Sequence, residues 1–212
     1  MDQLVETVPE SEMTETLPWW HSKLNMGVVC VAIAILCGAS GWLVGNNRAI
    51  PDPNSTDIGF LQDMHSHHEQ AITIGLLFLD LDGTSAALRD MARETVFGQS
   101  VEVGRMIQLL RGFGATESNE SDVTMAWMNT PTPTDGMPGM PSESDLDKLL
   151  ASSGSAADQL FVALMTAHHQ GGIQVAQYAA AHANVIEVRQ FADAIVEGQA
   201  SQINEMRATI AG

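Results

Sequence analysis

Two short motifs of the same spacing contain five of the seven histidines in this 212-residue chain. Each reads Met-x-x-His-His, at Met64–His68 and again at Met165–His169. On a helix, side chains at positions i, i+3 and i+4 share a face, so each methionine points the same way as its two histidines. Thioether and imidazole ligands together suit copper, and Cu(I) in particular, better than Mg²⁺, Ca²⁺ or Mn²⁺, which prefer oxygen. The two motifs therefore predict copper binding.

Further candidate ligands follow each motif on the next predicted helix, where Gln99, Glu102 and Met106 share one face. A hairpin would bring this face toward the first motif, and the second half of the chain repeats the arrangement. The candidate metal ligands are Met64, His67, His68, Glu102 and Met106 in the first half, and Met165, His168, His169 and Met206 in the second. Whether they form two sites or converge on one is left open. Zinc is the alternative metal, bound through the histidines with Glu102 as a carboxylate ligand.

Other interpretations of these motifs compete with a metal site. The histidines would then be hydrogen-bonded core pairs and the methionines ordinary packing residues, in an accessory subunit of a membrane complex without a metal role. A ferritin-type di-iron oxidase is disfavoured because the sequence contains no Glu-x-x-His motif. A copper oxidase is the weakest alternative, since nothing beyond the ligands indicates a substrate pocket. We therefore expect a binding protein and not an enzyme.

Residues outside the paired motifs have less defined roles. His65 and His182 have no counterpart in the other half, so both are expected at the surface, although His65 could add a ligand to the first site. A second group of methionines lies between the two halves, at Met125, Met128, Met137 and Met140. A copper-capturing segment and a simple linker are equally consistent with this group.

An internal repeat relates the two halves of the chain. Asp57 and Asp158, Phe60 and Phe161, Met64 and Met165, and both histidine pairs are 101 residues apart. Farther on, Ala92 and Ala192, Gln99 and Gln199, and Met106 and Met206 are 100 apart. One deletion between the two blocks explains the change, so we interpret residues 57–212 as a tandem duplication.

Each half has the apolar periodicity of two helices joined by a turn. Two such hairpins bury their apolar faces most simply as a four-helix bundle, which makes the expected fold all-α. The predicted organisation is an acidic tail (1–23), a transmembrane helix (24–45), a linker (46–56), a first hairpin (57–113), a crossover rich in Met, Pro and Ser with a short helix (114–155), and a second hairpin (156–212).

The segment 24–45 contains 22 residues and no charged side chain, enough to span a bilayer as a helix. Trp19, Trp20 and Trp42 lie near its ends, as interfacial aromatics do. A cleaved signal peptide is the competing interpretation, which the long acidic region before the segment disfavours. We therefore expect a single-pass protein of the cell membrane with its bundle on the extracytoplasmic side. Small residues spaced four apart, Ala34 and Gly38, permit close helix packing in a homo-oligomer.

The charge of the chain limits its partners. Nine Lys and Arg against 26 Asp and Glu give a net charge of −17, which excludes nucleic acid as a partner. Both cysteines, Cys30 and Cys37, lie in the apolar segment, so the rest of the chain has no cysteine-based zinc site. The expected partners are the membrane and either a copper-handling protein or a membrane complex.

The duplicated pattern Asp-x-x-Phe, Met-x-x-His-His and a following Gln-to-Met helix resembles a known bacterial family, the domain of unknown function numbered three hundred and five. The resemblance covers roughly residues 54–212. It implies a ferritin-like four-helix bundle that is exported or membrane-anchored, and some members are periplasmic copper-binding proteins. The second half departs from the first at one candidate ligand, where Gln202 replaces Glu102. Where the two motifs form separate sites, these sites need not have the same charge or affinity.

Overall fold

The computed structural model describes residues 18–46 and 52–211. The described residues divide into two units, an N-terminal helix and a helical bundle that begins after residue 50. Most of the expected acidic tail (1–17), part of the linker (47–51) and Gly212 lie outside the described residues. The structure confirms the all-α fold class, with an apolar helix near the N-terminus followed by a bundle.

The N-terminal unit is one long helix, α1 (Lys23–Asn46), preceded by a 3₁₀ turn at Trp19–His21. Its stretch Lys23–Leu43 has a mean hydropathy of 2.1, and none of its residues is buried within the protein. A helix that is apolar on all sides and unburied is typical of a lipid-embedded segment. The helix is long and apolar enough to cross a membrane, and a signal sequence has the same properties.

Four long helices form the bundle: α2 (Ser55–Leu79), α3 (Ala86–Gly112), α5 (Gly154–His182) and α6 (Ile186–Ala211). Consecutive helices pack most extensively on each other, α2 on α3 and α5 on α6, and α2 also packs on α5. A short helix, α4 (Glu143–Leu150), precedes α5. Two hairpins thus meet face to face through their first helices.

The segment between the hairpins, expected to be irregular with a short helix, also contains a small antiparallel sheet. Strands β1 (Val123–Thr124) and β2 (Thr132–Pro133) pair there, with Val123 opposite Pro133. The carboxylate of Asp63 on α2 fixes this segment to the bundle. It accepts hydrogen bonds from the Met125 backbone N–H (2.8 Å) and the Trp127 indole N–H (2.7 Å). The crossover is therefore a packed part of the domain.

Each hairpin turn is capped by an aspartate from the other hairpin. Asp57, fully buried on α2, accepts hydrogen bonds from the backbone N–H groups of Asn184 and Val185, just before α6 (both 3.0 Å). Asp158 on α5 accepts one from the N–H of Ser85, just before α3 (3.0 Å). Ser85 is the N-cap residue of α3, but its side chain makes no capping hydrogen bond.

The core consists of two apolar clusters. One contains Phe60, Met64 and Met106 with Val175 and Ile195, and the other contains Ile74, Phe78 and Leu88 with Phe161 and Met165. Along α2 the core residues pass from the first cluster at Met64 to the second at Ala71. The two histidines lie between these positions in the chain, and α5 repeats the pattern in the opposite order. Buried polar residues thus separate the two clusters.

Candidate metal centre

Four buried histidines form a continuous row across the centre of the bundle. The ring centroids of His67 and His168, one from each hairpin, are 3.8 Å apart. His68 continues the row beside His67 at 6.5 Å, and His169 continues it beside His168 at 6.2 Å. All four side chains are at most 1% exposed. The structure therefore brings both predicted motifs to a single place in the bundle.

Hydrogen-bond acceptors fix the tautomer of three of these histidines. The Nε2 atom of His67 lies 3.2 Å from the backbone carbonyl oxygen of Pro138. The Nε2 atoms of His68 and His169 each lie 2.7 Å from an oxygen, that of the Glu102 carboxylate and that of the Gln202 amide. Because each of these oxygens only accepts, Nε2 carries the hydrogen in all three rings. In the neutral ring, Nδ1 then carries no hydrogen and has a free lone pair.

These lone pairs have no partner among the described residues. Of the eleven buried side-chain nitrogen and oxygen atoms without a hydrogen bond, nine belong to the histidine row and to two glutamines, Gln99 and Gln199. The nine atoms are Nδ1 of His67, His68 and His169, both ring nitrogens of His168, and both amide atoms of each glutamine. A buried polar atom without a partner costs about 1–3 kcal/mol, so this arrangement indicates a group that binds there.

Burial keeps three of the four rings uncharged at neutral pH. It lowers the pKa of His67 to about 3, with a contribution from neighbouring His68, and the pKa of His169 to about 4. The pKa of His168 is also lowered by burial and by the adjacent His67. Uncharged imidazole is the form that binds metal ions. These three rings thus present basic nitrogen atoms without first losing a proton.

The predicted thioether ligands of each motif and its following helix lie in the same apolar cluster, as expected for a helical hairpin. Met64 and Met106 lie in the first apolar cluster, and Met165 and Met206 lie in the second, all at most 2% exposed. The crossover adds Met125 and Met137 to the first cluster, so that half is richer in thioether groups. The histidine row therefore lies between two methionine pairs.

Glu102, the predicted carboxylate ligand, contacts the end of the row through His68. Within residues 18–46 and 52–211, no three His, Cys, Asp or Glu side chains form an assembled metal-binding group. The zinc alternative, which uses histidines and Glu102 alone, thus lacks an assembled ligand set there. The thioethers are the soft donors that the two motifs supply beside the histidines.

The remaining histidines lie outside the row. His65 points to the crossover, with Nδ1 3.0 Å from the carbonyl oxygen of Glu117 and Nε2 3.5 Å from the Glu69 carboxylate. His182 stacks on Tyr178 at 4.0 Å near the end of α5. Neither contacts the four central rings, so the structure gives no support to His65 as an added ligand.

Sequence reasoning did not identify the crossover backbone as part of this centre. Pro138 and Gly139 lie directly against α5, where a Cβ atom at Gly139 would come within 2.9 Å of the backbone at His168. A Cβ atom at Gly171 would overlap the Pro138 carbonyl group. These two glycines permit the close approach that places the Pro138 oxygen on His67. The stretch Gly136–Met140 (Gly-Met-Pro-Gly-Met) is recognisable in the sequence, but its contact with α5 is not.

The chain matches the family described as Domain of unknown function (DUF305) over residues 57–210. It therefore belongs to the DUF305 family, as the duplicated motif indicated. No curated protein matches the chain.

Solved structures of the family share the fold. A putative secreted DUF305 protein from Streptomyces coelicolor is 31% identical, with a TM-score of 0.68 over 74% of this chain and 93% of that one. A DUF305 fragment from Deinococcus radiodurans is 23% identical, with a TM-score of 0.65 over 76% of this chain and 99% of that one. CopM in its Cu(II)-bound form is 21% identical, with a TM-score of 0.54 over 73% of this chain and 95% of that one.

Proposed function

We propose that this protein binds copper, as Cu(I), in the centre of its bundle and acts as a buffer or chaperone for the ion. The observation that carries the proposal is the row of four histidines whose Nδ1 atoms are buried and have no hydrogen-bond partner among the described residues. Hydrogen-bond acceptors on the opposite ring nitrogens orient three of the rings, as they do for histidines that bind metals. A pair of buried methionine thioethers lies in the apolar cluster on each side of the row, and thioether ligands favour Cu(I) over harder ions.

The solved relatives support the same assignment. CopM has been crystallised with Cu(I), with Cu(II) and with silver, and at 21–22% identity it shares the fold of this chain. Silver(I) is a soft monovalent ion like Cu(I), so the pair is consistent with imidazole and thioether ligands. The candidate ligands of this chain are of that type.

The central test is an anaerobic Cu(I) titration of the full chain in detergent, with bathocuproine disulfonate as competitor. We expect tight binding by the wild type and its loss in a His67→Gln/His168→Gln variant, which keeps polar side chains at the centre of the row. The matched control is His65→Gln/His182→Gln, which also removes two histidines but leaves the row intact and should bind as the wild type does. Equal binding by both variants, with circular dichroism showing folded protein, would favour the accessory-subunit alternative.

We further infer that α1 is a retained membrane anchor and that the bundle lies on the extracytoplasmic side. The support is an apolar helix of sufficient length that buries nothing in the protein. Intact-mass measurement of the protein extracted from membranes tests this. A mass that includes residues 1–46 is expected, whereas loss of these residues from the mature protein would identify the segment as a signal peptide.

A further inference from the structure

A narrow cleft lies between α3 and α6, beside the histidine row. Its volume is about 60 Å³, and its lining consists of three residues of α3 and four of α6: Gly98, Gln99, Glu102, Ile195, Gly198, Gln199 and Gln202. Two of these residues contact the row directly. The carboxylate of Glu102 accepts from His68, and the amide oxygen of Gln202 accepts from His169, both at 2.7 Å. Two lining residues of the cleft therefore contact the two outer histidines.

The cleft also reaches the centre of the row. A Cβ atom at Gly172 would lie 2.5 Å from the Gln199 amide oxygen and 3.0 Å from Cε1 of His67. The amide of Gln199 and the ring of His67 thus lie against the same point of α5. Since Cε1 is bonded to Nδ1, the free lone pair of His67 is next to this contact.

Two glutamines line this cleft without any hydrogen-bond partner among the described residues. Gln99 and Gln199 are each 4% exposed, and neither the oxygen nor the nitrogen of either amide is paired. They occupy equivalent positions of the repeat, 100 residues apart. A cavity of this size holds only a few water molecules, and an amide oxygen can replace water around a cation. Two equivalent amides, each without a hydrogen-bond partner, therefore indicate a site for a partly hydrated cation.

The mouth of the cleft is kept open by glycine on both sides. Gly98 and Gly198 precede the two glutamines, are exposed, and would place a Cβ atom where no other atom lies within 4 Å. A larger side chain at either position would therefore extend into open space at the lining of the cleft. The side chain of Glu102, 32% exposed, supplies a carboxylate within the opening.

We propose that the α3–α6 cleft is the access route of the metal ion to the histidine row, with Gln99 and Gln199 replacing its water on the way. This inference rests on the proposed function. The ion enters between Gly98 and Gly198, exchanges water for the amide oxygens of the two glutamines, and then passes to the histidine nitrogens. Dissociation follows the same path in reverse.

Rapid mixing of the full chain with Ag(I) in detergent, followed by tryptophan fluorescence, tests the route. Trp127 reports on binding because it packs against the cluster of Met64 and Met106. In a Gly98→Leu/Gly198→Leu variant, we expect the association and dissociation rates to fall together by at least tenfold, with the dissociation constant changed less than twofold. The matched control is Gly104→Leu, at an exposed glycine of α3 outside the cleft, which should load at the wild-type rate.

A second variant, Gln99→Leu/Gln199→Leu, removes the amides without blocking the mouth. We expect it to load Ag(I) several-fold more slowly and to unfold at a higher temperature, because two unsatisfied amides are lost from the interior. Wild-type loading rates in both double variants would overturn the access route while leaving the proposed function intact. Absence of Ag(I) and Cu(I) binding by the wild type would overturn the proposed function, and the route with it.

Discussion

His67 and His168 stack at the centre of the bundle, with ring centroids 3.8 Å apart and ring planes inclined by 35°. The two residues are equivalent in the repeat, so the stack joins the two hairpins at corresponding positions. His67 and His168 differ in their hydrogen bonding. His67 donates to the Pro138 carbonyl, whereas both nitrogens of His168 are without a partner among the described residues. The crossover thus makes an otherwise repeated centre asymmetric.

The metal-free protein should lose stability as the pH falls below about 6.5. Burial lowers the pKa of His67 to about 3 and that of His169 to about 4, and it lowers that of His168 too. In the unfolded chain these rings titrate near 6.5, so between pH 6.5 and 4 the unfolded state binds protons that the folded state does not. The free energy of unfolding then falls by at most about 1.4 kcal/mol per pH unit for each ring.

Urea denaturation with a chelator present, at pH 7.5, 6 and 5, measures this slope. His168→Leu should flatten it, because it removes one of the three rings and leaves the hydrogen bonds of the others in place. His65→Leu, which removes a histidine outside the row, should retain the wild-type slope. A His168→Leu protein with an unchanged slope would contradict the prediction.

The single substitutions Glu102→Gln and Gln202→Glu should change metal affinity in opposite directions. A carboxylate that accepts from Nε2 raises the electron density on Nδ1 more than an amide does, and loss of such a partner costs about 10–100-fold in metal affinity. Glu102→Gln should therefore weaken Cu(I) binding at least tenfold, and Gln202→Glu should strengthen it.

Competition titrations of the two single variants and the exchanged pair test this argument. The pair Glu102→Gln/Gln202→Glu keeps one carboxylate beside the row, so it should bind with nearly wild-type affinity. Equal affinities in all four proteins would show that neither residue affects the metal.

The sequence predicted the inward position of the central histidines, because that information was local. Helical spacing placed His67 and His68 on one face with Met64, and the repeat placed His168 and His169 likewise, so a bundle had to direct both motifs inward. The repeat also showed Asp57 and Asp158 as equivalent. Their role in capping the turn of the opposite hairpin required the packing of α2 on α5, which no local pattern reports.

The contacts of the crossover were not predictable for the same reason. Asp63 lies on α2 next to a conspicuous metal motif, and its partners Met125 and Trp127 are 62 and 64 residues away. A segment rich in Ser, Thr and Pro has no periodicity that would indicate burial of Met125 or Met137. The position of Pro138 over α5 depends on two glycines, and a glycine alone does not identify its neighbour.

Asp63→Asn should release the crossover from the bundle. In the native protein Oδ2 accepts from both the Met125 and the Trp127 N–H groups, and Oδ1 accepts from the Asn119 amide at 3.1 Å. The substitution replaces one oxygen with an NH₂ group and removes the charge, so at least one donor loses its acceptor and the others bond a weaker, neutral oxygen, at a cost of about 1–3 kcal/mol. We expect a red shift in Trp127 fluorescence and faster proteolysis within residues 114–142. Asp122→Asn, at an exposed aspartate of the same segment, should change neither, and an unshifted spectrum in Asp63→Asn would refute the anchoring role.

Asp57→Asn should destabilise the bundle more than Asp158→Asn does. Asp57 is fully buried, and its two oxygens accept from three backbone N–H groups, those of Asn54, Asn184 and Val185. An amide of the same shape accepts through one oxygen only, so at least one buried N–H loses its partner, and we expect a loss of about 2 kcal/mol. Asp158 is half-buried and accepts from one N–H, so water can substitute for it and the loss should be below about 1 kcal/mol. Urea denaturation of the two variants at pH 7.5 measures the difference, and equal losses would mean that the two caps contribute alike despite their different burial.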